Sequence, residues 1–399
     1  MDLNEKNKLS VVELENELRS ILTFWADNTI DLSQGGFIGE LDNKGNIHTE
    51  VEKGVVLNAR LLWTFSAAYN FLKEPTYLTL ADRAYSYLID HFWDDANGGL
   101  FWSVSADSSA NNTRKQAYAQ GFGIYGFSEY YKASGEKESL DYAIKLFHLI
   151  EVNFKDNKYG GYIEALAEKW EPLDDMRLSE KDANEPKSMN THLHIIEPYT
   201  NLYRVWPDIQ LKASIHDLIE IFQDKIIDKE TSHFNLFFDV DWTVKSEIVS
   251  YGHDIEGAWL LNEAAHFIHD KELMLQMKEL SLKMVDATML EGFDIDGSLF
   301  YELEKGYLDT DKHWWPQAEA LIGLLDAYKN SSESKYLDAA LKVWQFIKNH
   351  IKDEENGEWF WKVDQNGVPD LEQPKVGFWK CPYHNSRAMM EAITRLNAI

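Results

Sequence analysis

Histidine, glutamate, arginine and tryptophan residues recur in this sequence at nearly constant intervals, each time near the start of an apolar stretch. Imidazoles exchange protons near neutral pH and carboxylates can orient them, so these residue types suit general acid–base catalysis. Successive spacings are 58, 76, 59, 61 and 70 residues along the series Arg60, Tyr118, His194, His253, Trp314 and His384. The period predicts that six similar elements gather these residues at one central site, together with Asn190, Glu256, Trp315, Glu319 and Trp379.

The stretch MNTHLHIIEPYTNLYRVW (189–206) places polar residues in an otherwise apolar helical pattern. On a helix, His194 shares a face with Asn190 and Glu197, whereas His192 lies about 200° away from His194. We therefore predict that His194 faces the site. His192 stays the alternative if the helix register differs.

Two prolines lie within the segments that carry the candidate residues. Pro198 lacks a backbone donor and crowds the carbonyl of His194, which predicts a kink or a freed carbonyl near the site. Pro316 suits the first turn of a helix, on which Trp315 and Glu319 share a face at i, i+4. The prolines therefore indicate where one helix bends and where another begins.

The segment SYGHDIEGAWLL places His253 and Glu256 at i, i+3 on one helical face. A carboxylate in that position can orient an imidazole and raise its basicity, so we expect Glu256 to support His253. His384 follows Trp379 near the start of the last apolar helix.

Several other chemistries have weaker support. His194, His253, Glu256 and His384 are competent metal ligands, but they come from three distant units, and the sequence lacks an HExxH or Cys/His metal pattern. It also lacks a G-x-S-x-G elbow and a Gly-rich phosphate loop, and Cys381 is the single cysteine. We predict neither a metal nor a cofactor.

A short aromatic turn segment recurs six times and divides the chain into units of about 62 residues. Its marker residues are spaced by 63, 62, 74, 62 and 60 positions, and the copies are QGGFIGELD, NGGLFWSVS, YGGYIEALA, SHFNLFFDVDW, DGSLFYELE and NGEWFWKVD. The third unit is longer because of a polar insertion over 169–188, typical of a lid or a disordered loop. The aromatic alternation predicts a small hairpin-like loop in each unit.

Helical patterns flank each turn segment and differ in polarity. Those before the turns, such as 77–93 and 335–351, have one polar side, whereas those after them, such as 57–72 and 317–330, are apolar around their circumference. This contrast is expected for the outer and inner helices of two concentric rings. We predict an all-α (α/α)6 barrel forming a single domain over 1–399, with short β-hairpin loops at one mouth.

Composition limits the partners. The net charge of −28 argues against nucleic acid and anionic membranes, which require a basic surface. The N-terminal segment lacks a signal-peptide core and no apolar run is long enough for a membrane span, so a cytoplasmic monomer is expected. The 14 Trp, 19 Tyr and 20 Phe residues suit either a thick core or a site that stacks sugars.

The motifs NAR (58–60), MNTHLHIIEPYTNLYRVWP (189–207), GHDIE (252–256), WWPQAEA (314–320) and WKCPYHNSR (379–387) together resemble the N-acylglucosamine 2-epimerase superfamily, most closely its cellobiose 2-epimerase branch. They occur in the family's order across most of the chain. Pro198 and Tyr251 depart from the alanine and phenylalanine expected there, and either change would adjust the cavity without removing a catalytic group.

The resemblance implies an (α/α)6 barrel that epimerises C2 of a reducing-end sugar without metal or nicotinamide. His253 and His384 correspond to the general acid/base pair, and His194 to a third histidine associated with ring opening. Arg60 matches the arginine near the C1 and C2 oxygens. The remaining matches are sugar-contacting, histidine-supporting or wall-forming residues: Tyr118, Asn190, Glu256, Trp315 and Trp379.

Other activities stay open at this stage. An aldose–ketose isomerase shares the first steps, and a mannose 2-epimerase acts on monosaccharides, although we favour β-1,4-linked disaccharides. An inverting glycosidase would need two opposed carboxylates, for which Glu256 and Glu319 are available. A non-catalytic sugar-binding protein would explain the tryptophans but not the paired histidines.

Overall fold

The computed structural model describes residues 9–398, which form two concentric rings of α-helices. The outer helices bury one face only, as their single apolar stripe requires; they are α1 (Val11–Asn28), α3 (Pro75–Tyr87), α5 (Lys137–Asn153), α7 (Ile209–Ile221), α9 (Lys271–Glu291) and α11 (Ser334–Phe346). The inner helices are buried nearly all round; they are α2 (Val55–Leu72), α4 (Ala117–Ser134), α6 (Met189–Val205), α8 (Tyr251–Phe267), α10 (Trp314–Ser331) and α12 (Tyr383–Asn397). The predicted (α/α)6 barrel is confirmed.

Short strands connect neighbouring units at the end where the inner helices begin. They are β1 (Lys53–Gly54), β2 (Ser103–Val104), β3 (Ala110–Asn112), β4 (Lys115–Gln116), β5 (Ala165–Leu166), β6 (Lys187–Ser188), β7 (Phe237–Phe238), β8 (Ile248–Ser250), β9 (Glu302–Glu304), β10 (Tyr307–Asp309), β11 (Lys312–His313) and β12 (Lys362–Val363). The strand before an inner helix pairs with a strand of the next unit, as in β1–β2, β4–β5, β6–β7, β8–β9 and β11–β12. A bridge between Leu41 and Val376 joins the last unit to the first.

Buried lysine–aspartate pairs hold the hairpin turns in five of the six units. Each aspartate begins a turn, and the lysine precedes the inner helix; the pairs are Asp31–Lys53, Asp94–Lys115, Asp156–Lys187, Asp294–Lys312 and Asp353–Lys375, at 2.6 to 2.9 Å. In the fourth unit Asp228 still accepts from the turn amides, but Val249 occupies the lysine position. In these five units the pair places the start of the inner helix against its turn.

Helix α6 bends where the sequence predicts it. His194 departs from helical geometry with φ −91° and ψ 16°, four residues before Pro198. The carbonyl oxygen of His194 lies so close to Gly121 of α4 that a Cβ there would stand 2.2 Å from it. The kink thus requires a glycine on the neighbouring helix.

The insertion over 169–188 is irregular except for β6, and it packs on the second unit. The indole Nε1 of Trp170 donates to the carbonyl of Asn97 at 3.0 Å. The side chain of Gln116 donates to the carbonyl of Arg177 at 2.9 Å. Over residues 9–398, none of the helices has the length and apolar character that crossing a bilayer demands.

Candidate active site

The candidate residues lie in the first two turns of the inner helices, at the mouth that carries the strands, except for Trp379, which lies four residues before α12. In five of the inner helices the sixth residue belongs to this region, and these residues are Arg60, Phe122, His194, Glu256 and Glu319. Arg387 of α12 joins them through direct hydrogen bonds. The structure therefore brings Arg60, Tyr118, His194, His253, Glu256, Trp315, Glu319, Trp379 and His384 into one connected set of contacts.

His194 is held by Glu197, three residues further along α6. Its Nδ1 lies 2.9 Å from Oε2 of Glu197, whose other oxygen accepts hydrogen bonds from Tyr383 and Arg387. Burial would raise the pKa of Glu197, but Arg387 and His194 hold it at about 2. An ionised Glu197 can only accept a hydrogen bond, so Nδ1 of His194 carries the donated hydrogen and Nε2 is left for the chamber.

His384 is supported by a carboxylate from α10. Its Nδ1 lies 2.7 Å from Oε1 of Glu319, and Oε2 of Glu319 accepts from the indole of Trp259 at 3.1 Å. Arg387 donates through Nη2 to both Glu256 and Glu319 at 2.7 Å. Sequence reasoning missed Arg387 as a functional residue, although it ends the WKCPYHNSR motif.

Glu256 does not support His253, contrary to the expectation from their i, i+3 spacing. His253 instead contacts the hydroxyl of Ser250 through Nδ1 at 2.8 Å. Ser250 directly precedes α8, three residues before His253, so the two side chains meet at the start of the helix. Glu256 turns towards Arg387 and lies 3.9 Å from His384. The two histidines of the predicted pair therefore have different partners, a hydroxyl for His253 and a carboxylate for His384.

Aromatic rings lie against both histidines. The ring of Trp315 is centred 4.7 Å from that of His253 and 5.7 Å from that of His384. Trp379 lies 6.1 Å from Tyr118 and 5.9 Å from Trp102, on another side of the chamber. Trp315 and Trp379 are thus placed as walls.

Arg60 reaches the chamber beneath Tyr118. Its Nη2 donates to the Tyr118 hydroxyl at 2.8 Å, and its guanidinium lies 4.3 Å from the centre of the Phe122 ring. The thiol of Cys381 lies 4.0 Å from Nη1 of Arg60. Because burial raises the pKa of Cys381, the thiol stays protonated, which argues against a cysteine nucleophile.

Two candidates are less engaged with the others. Asn190 has a buried Oδ1 without a hydrogen-bond partner among the described residues. Trp314 is 3% exposed and packs on Trp361 and Lys380, with His384 at 6.4 Å. Trp314 therefore lies further back than Trp315.

The structure resolves the choice between the two histidines of α6. His192 faces away from the chamber, where its Nε2 accepts from the backbone amide of Tyr162 at 2.9 Å and its Nδ1 donates to the carbonyl of Ser188 at 2.7 Å. Gln120 and Gln317 stand at the same helical position in α4 and α10, and each accepts from the amide of a hairpin turn. His192 is thus a turn support.

We expect His192→Gln to preserve the fold and activity and to reduce acid sensitivity. Burial lowers the pKa of His192 to about 4, so the unfolded chain binds the extra proton between pH 6.5 and 4, and folding stability falls as pH falls. Protonation of this histidine in the unfolded chain lowers the free energy of unfolding by about 2 kcal/mol between pH 7 and pH 5. Urea unfolding of both proteins at these two pH values checks it, and equal pH dependence would contradict it.

Burial also favours neutral imidazoles in the chamber. It lowers the pKa of His253 to about 3, with His194 acting in the same direction. Burial, Arg60 and Arg387 lower the pKa of His384. Burial and Glu319 raise the pKa of Glu256, and burial raises that of Glu319. The chamber therefore favours the neutral forms of these two histidines and of Glu256 and Glu319, whereas Glu197 is ionised.

A metal site and an inverting hydrolase both fit this geometry poorly. Ligand atoms of Glu256, Glu319 and His384 lie within 4.8 Å of one another, but Nη2 of Arg387 already bridges the two carboxylates as a cation would. The same separation is shorter than the roughly 6.5–9.5 Å between the carboxylates of inverting glycosidases. The paired carboxylates support histidine and arginine instead.

The (α/α)6 barrel thus gathers several histidines, carboxylates and an arginine in one chamber, an arrangement suited to general acid–base catalysis. The chain matches the family described as N-acylglucosamine 2-epimerase (GlcNAc 2-epimerase) over residues 36–388. It belongs to that family.

Similar proteins cover almost the whole chain. A cellobiose 2-epimerase of Bacteroides fragilis is 46% identical over 96% of this chain and 98% of its own. One from Dictyoglomus turgidum is 41% identical over 94% of this chain and 96% of its own. The structure of cellobiose 2-epimerase from Bacillus thermoamylovorans B4167 is 39% identical, superposes with a TM-score of 0.92, and covers 96% of this chain and 99% of that one.

Proposed function

We propose that this protein is a cellobiose 2-epimerase, which inverts C2 of the reducing-end glucose of β-1,4-linked disaccharides and so converts cellobiose to glucosyl-mannose. The observation that carries the proposal is the arrangement of His253 and His384. They come from different helices, both contact Trp315, and each is held through Nδ1. Family membership and similarity to several cellobiose 2-epimerases support the same activity.

The reaction begins with opening of the pyranose, because C2–H becomes acidic only beside a C1 aldehyde. The C1–O5 bond breaks, O1 loses its proton and O5 gains one. We assign His194 to this proton transfer, since Glu197 fixes its Nδ1 and leaves Nε2 facing the chamber.

Inversion needs two bases on opposite faces of C2. One histidine, as imidazole, takes the C2 proton and gives a cis-enediolate; the other, as imidazolium, returns a proton to the opposite face. The first histidine ends protonated and the second neutral, so a proton must pass between them before the next turnover. The Glu319–His384 pair is suited to holding that proton, because the pKa of Glu319 is raised by burial.

Arg60 stabilises the enediolate oxygen through charge-assisted hydrogen bonds, with Tyr118 orienting its guanidinium. Three buried polar atoms that lack partners among residues 9–398 suit sugar hydroxyls: Arg60 Nε, Asn190 Oδ1 and Glu256 Oε2. Trp315 and Trp379 stack on the sugar rings, with Trp314 behind them. Glu256 and Glu319 lie beneath the substrate, where they bind Arg387 and support His384.

We also propose one catalytic domain over the whole chain, acting as a cytoplasmic monomer. The runner-up activity is an aldose–ketose isomerase or a mannose 2-epimerase acting on monosaccharides, since return of the proton to C1 of the same intermediate gives a ketose.

Incubation with cellobiose in heavy water, followed by proton NMR, tests the proposal. We expect a glucosyl-mannose product that carries deuterium at C2, because the returned proton comes from a histidine that exchanges with solvent. Release of free glucose would identify a hydrolase. A ketose product would identify the isomerase, and turnover of mannose but not cellobiose the monosaccharide enzyme.

A further inference from the structure

A second cavity opens at the opposite mouth of the barrel, where the inner helices end. It has a volume of about 330 Å³ and is called the rear cavity here; it is lined mainly by Trp63, Asn70, Glu129, Asn201, Arg204 and Trp259, with Glu197 and Arg387 at its floor. Small-molecule sites in proteins begin at about 300 Å³. The rear cavity is therefore large enough for a small ligand.

The polar groups of the rear cavity are of mixed sign and largely paired with each other. Asn70 and Lys132 donate to Glu129 at 2.6 and 3.3 Å, and Arg204 pairs with Glu263 at 2.7 Å. Such a lining does not select an anion or a cation. It offers donors and acceptors between aromatic rings, which suits a neutral molecule with many hydroxyl groups.

One buried donor in the lining points to a ligand independently of the cavity's size. Trp63 is 6% exposed, and its indole Nε1 has no hydrogen-bond partner among residues 9–398. A buried N–H without a partner costs about 1–3 kcal/mol. Trp63 belongs to the wall of the rear cavity, so a small shift of its ring on ligand binding would bring this N–H to a ligand hydroxyl.

The floor of the rear cavity is also the support of the active site. Glu197 lines the cavity and holds His194 through Oε2, and Arg387 lines it while holding Glu256 and Glu319. A ligand that shifts Glu197 or Arg387 therefore changes the hydrogen bonds that orient two histidines. The two ends of the barrel share one ion-pair layer.

We propose that the rear cavity binds a neutral polyol of monosaccharide size, and that this ligand alters catalysis through Glu197 and Arg387. The effect on catalysis rests on the proposed epimerase function, whereas binding does not. A molecule seated there cannot compete with substrate, so its effect falls on kcat rather than on KM alone.

The test compares the wild type with Thr394→Trp and Asn397→Trp. Both positions are exposed on α12, but Thr394 lines the rear cavity and Asn397 does not, so only the first tryptophan obstructs the cavity. The probe is methyl β-glucoside, which has no free anomeric hydroxyl and cannot be epimerised. Its binding is followed by saturation-transfer NMR with saturating cellobiose present, and its effect on epimerisation by initial rates.

We expect probe binding that persists beside saturating cellobiose, and a change in kcat of at least about twofold, in the wild type and Asn397→Trp. Both are absent in Thr394→Trp. Loss of the NMR signal beside cellobiose in all three proteins, with the probe raising only KM, would overturn the proposal. Retention of both effects in Thr394→Trp would also overturn it. If cellobiose is not a substrate, the same NMR titration without it still shows whether Thr394→Trp removes a binding site.

Discussion

His253→Asn and His384→Asn are each expected to lower the rate of epimerisation by about 10²–10⁴-fold, the usual effect of removing a general acid or base. Each variant keeps one base on one face of C2. That base can still remove and return the proton of the epimer whose C2–H points towards it. Exchange with solvent therefore survives for one epimer in each variant.

The sharper expectation concerns which epimer exchanges. One variant should exchange the C2 hydrogen of cellobiose for deuterium, and the other variant should exchange the C2 hydrogen of glucosyl-mannose. Which variant acts on which epimer depends on the face of C2 that each histidine occupies. Both reactions are followed by proton NMR in heavy water, starting separately from each epimer. This complementary pattern separates a chemical role from a structural one, because a misfolded variant would lose exchange with both.

His192→Gln is the matched control, since it also changes a buried histidine but one that supports a turn. It should epimerise both sugars at close to the wild-type rate. If either asparagine variant epimerised at the wild-type rate, the histidine that it replaces would have no part in the mechanism. Loss of exchange with both epimers in a folded variant would contradict the two-base arrangement.

Arg387→Met is expected to reduce the free energy of unfolding by about 3–5 kcal/mol at pH 7, because it leaves the buried, ionised carboxylate of Glu197 without its partner. Arg387 is 1% exposed and contacts the carboxylates of Glu197, Glu256 and Glu319. Methionine fills a similar volume, so the expected loss of stability is caused by the missing charge and not by a cavity. Epimerisation should also fall, since Glu197 and Glu319 orient two histidines.

The difference in the free energy of unfolding between the wild type and Arg387→Met should become smaller as pH falls. Without the arginine, the buried carboxylates have a pKa above that of the unfolded chain, so the folded state binds more protons and loses stability as pH rises. The difference from wild type is thus largest near pH 8 and smaller near pH 5.5. Urea unfolding at both pH values measures it.

Arg19→Met provides the comparison, because Arg19, with its side chain 39% exposed, forms a surface ion pair with Glu15 at 2.9 Å that Glu74 shares. Loss of that surface pair should cost about 1 kcal/mol or less, with little pH dependence. A deficit in Arg387→Met that is as small, or that does not vary with pH, would show that the three carboxylates do not depend on Arg387.

Local patterns in the sequence determined a large part of this protein. The recurring turns and the contrast between amphipathic and wholly apolar helices predicted two rings of six helices, because burial on one or all sides is a property of each helix alone. Helical geometry placed Glu197 on the face of His194, and Pro198 predicted the bend at His194. The polarity of each helix and the features at His194 depend on residues within about two turns of one another, and each copy of the turn is a local pattern.

Only the tertiary structure decided which side chains pair across the chamber. Spacing on α8 suggested that Glu256 supports His253, but the orientation of α8 gives that role to Ser250 and turns Glu256 towards Arg387. Arg387 and Glu197 are 190 residues apart in sequence, and no local period relates them. Such pairs depend on how helices from different units are rotated about their axes when the ring closes. The rear cavity and its shared floor with the active site arise from the same long-range packing.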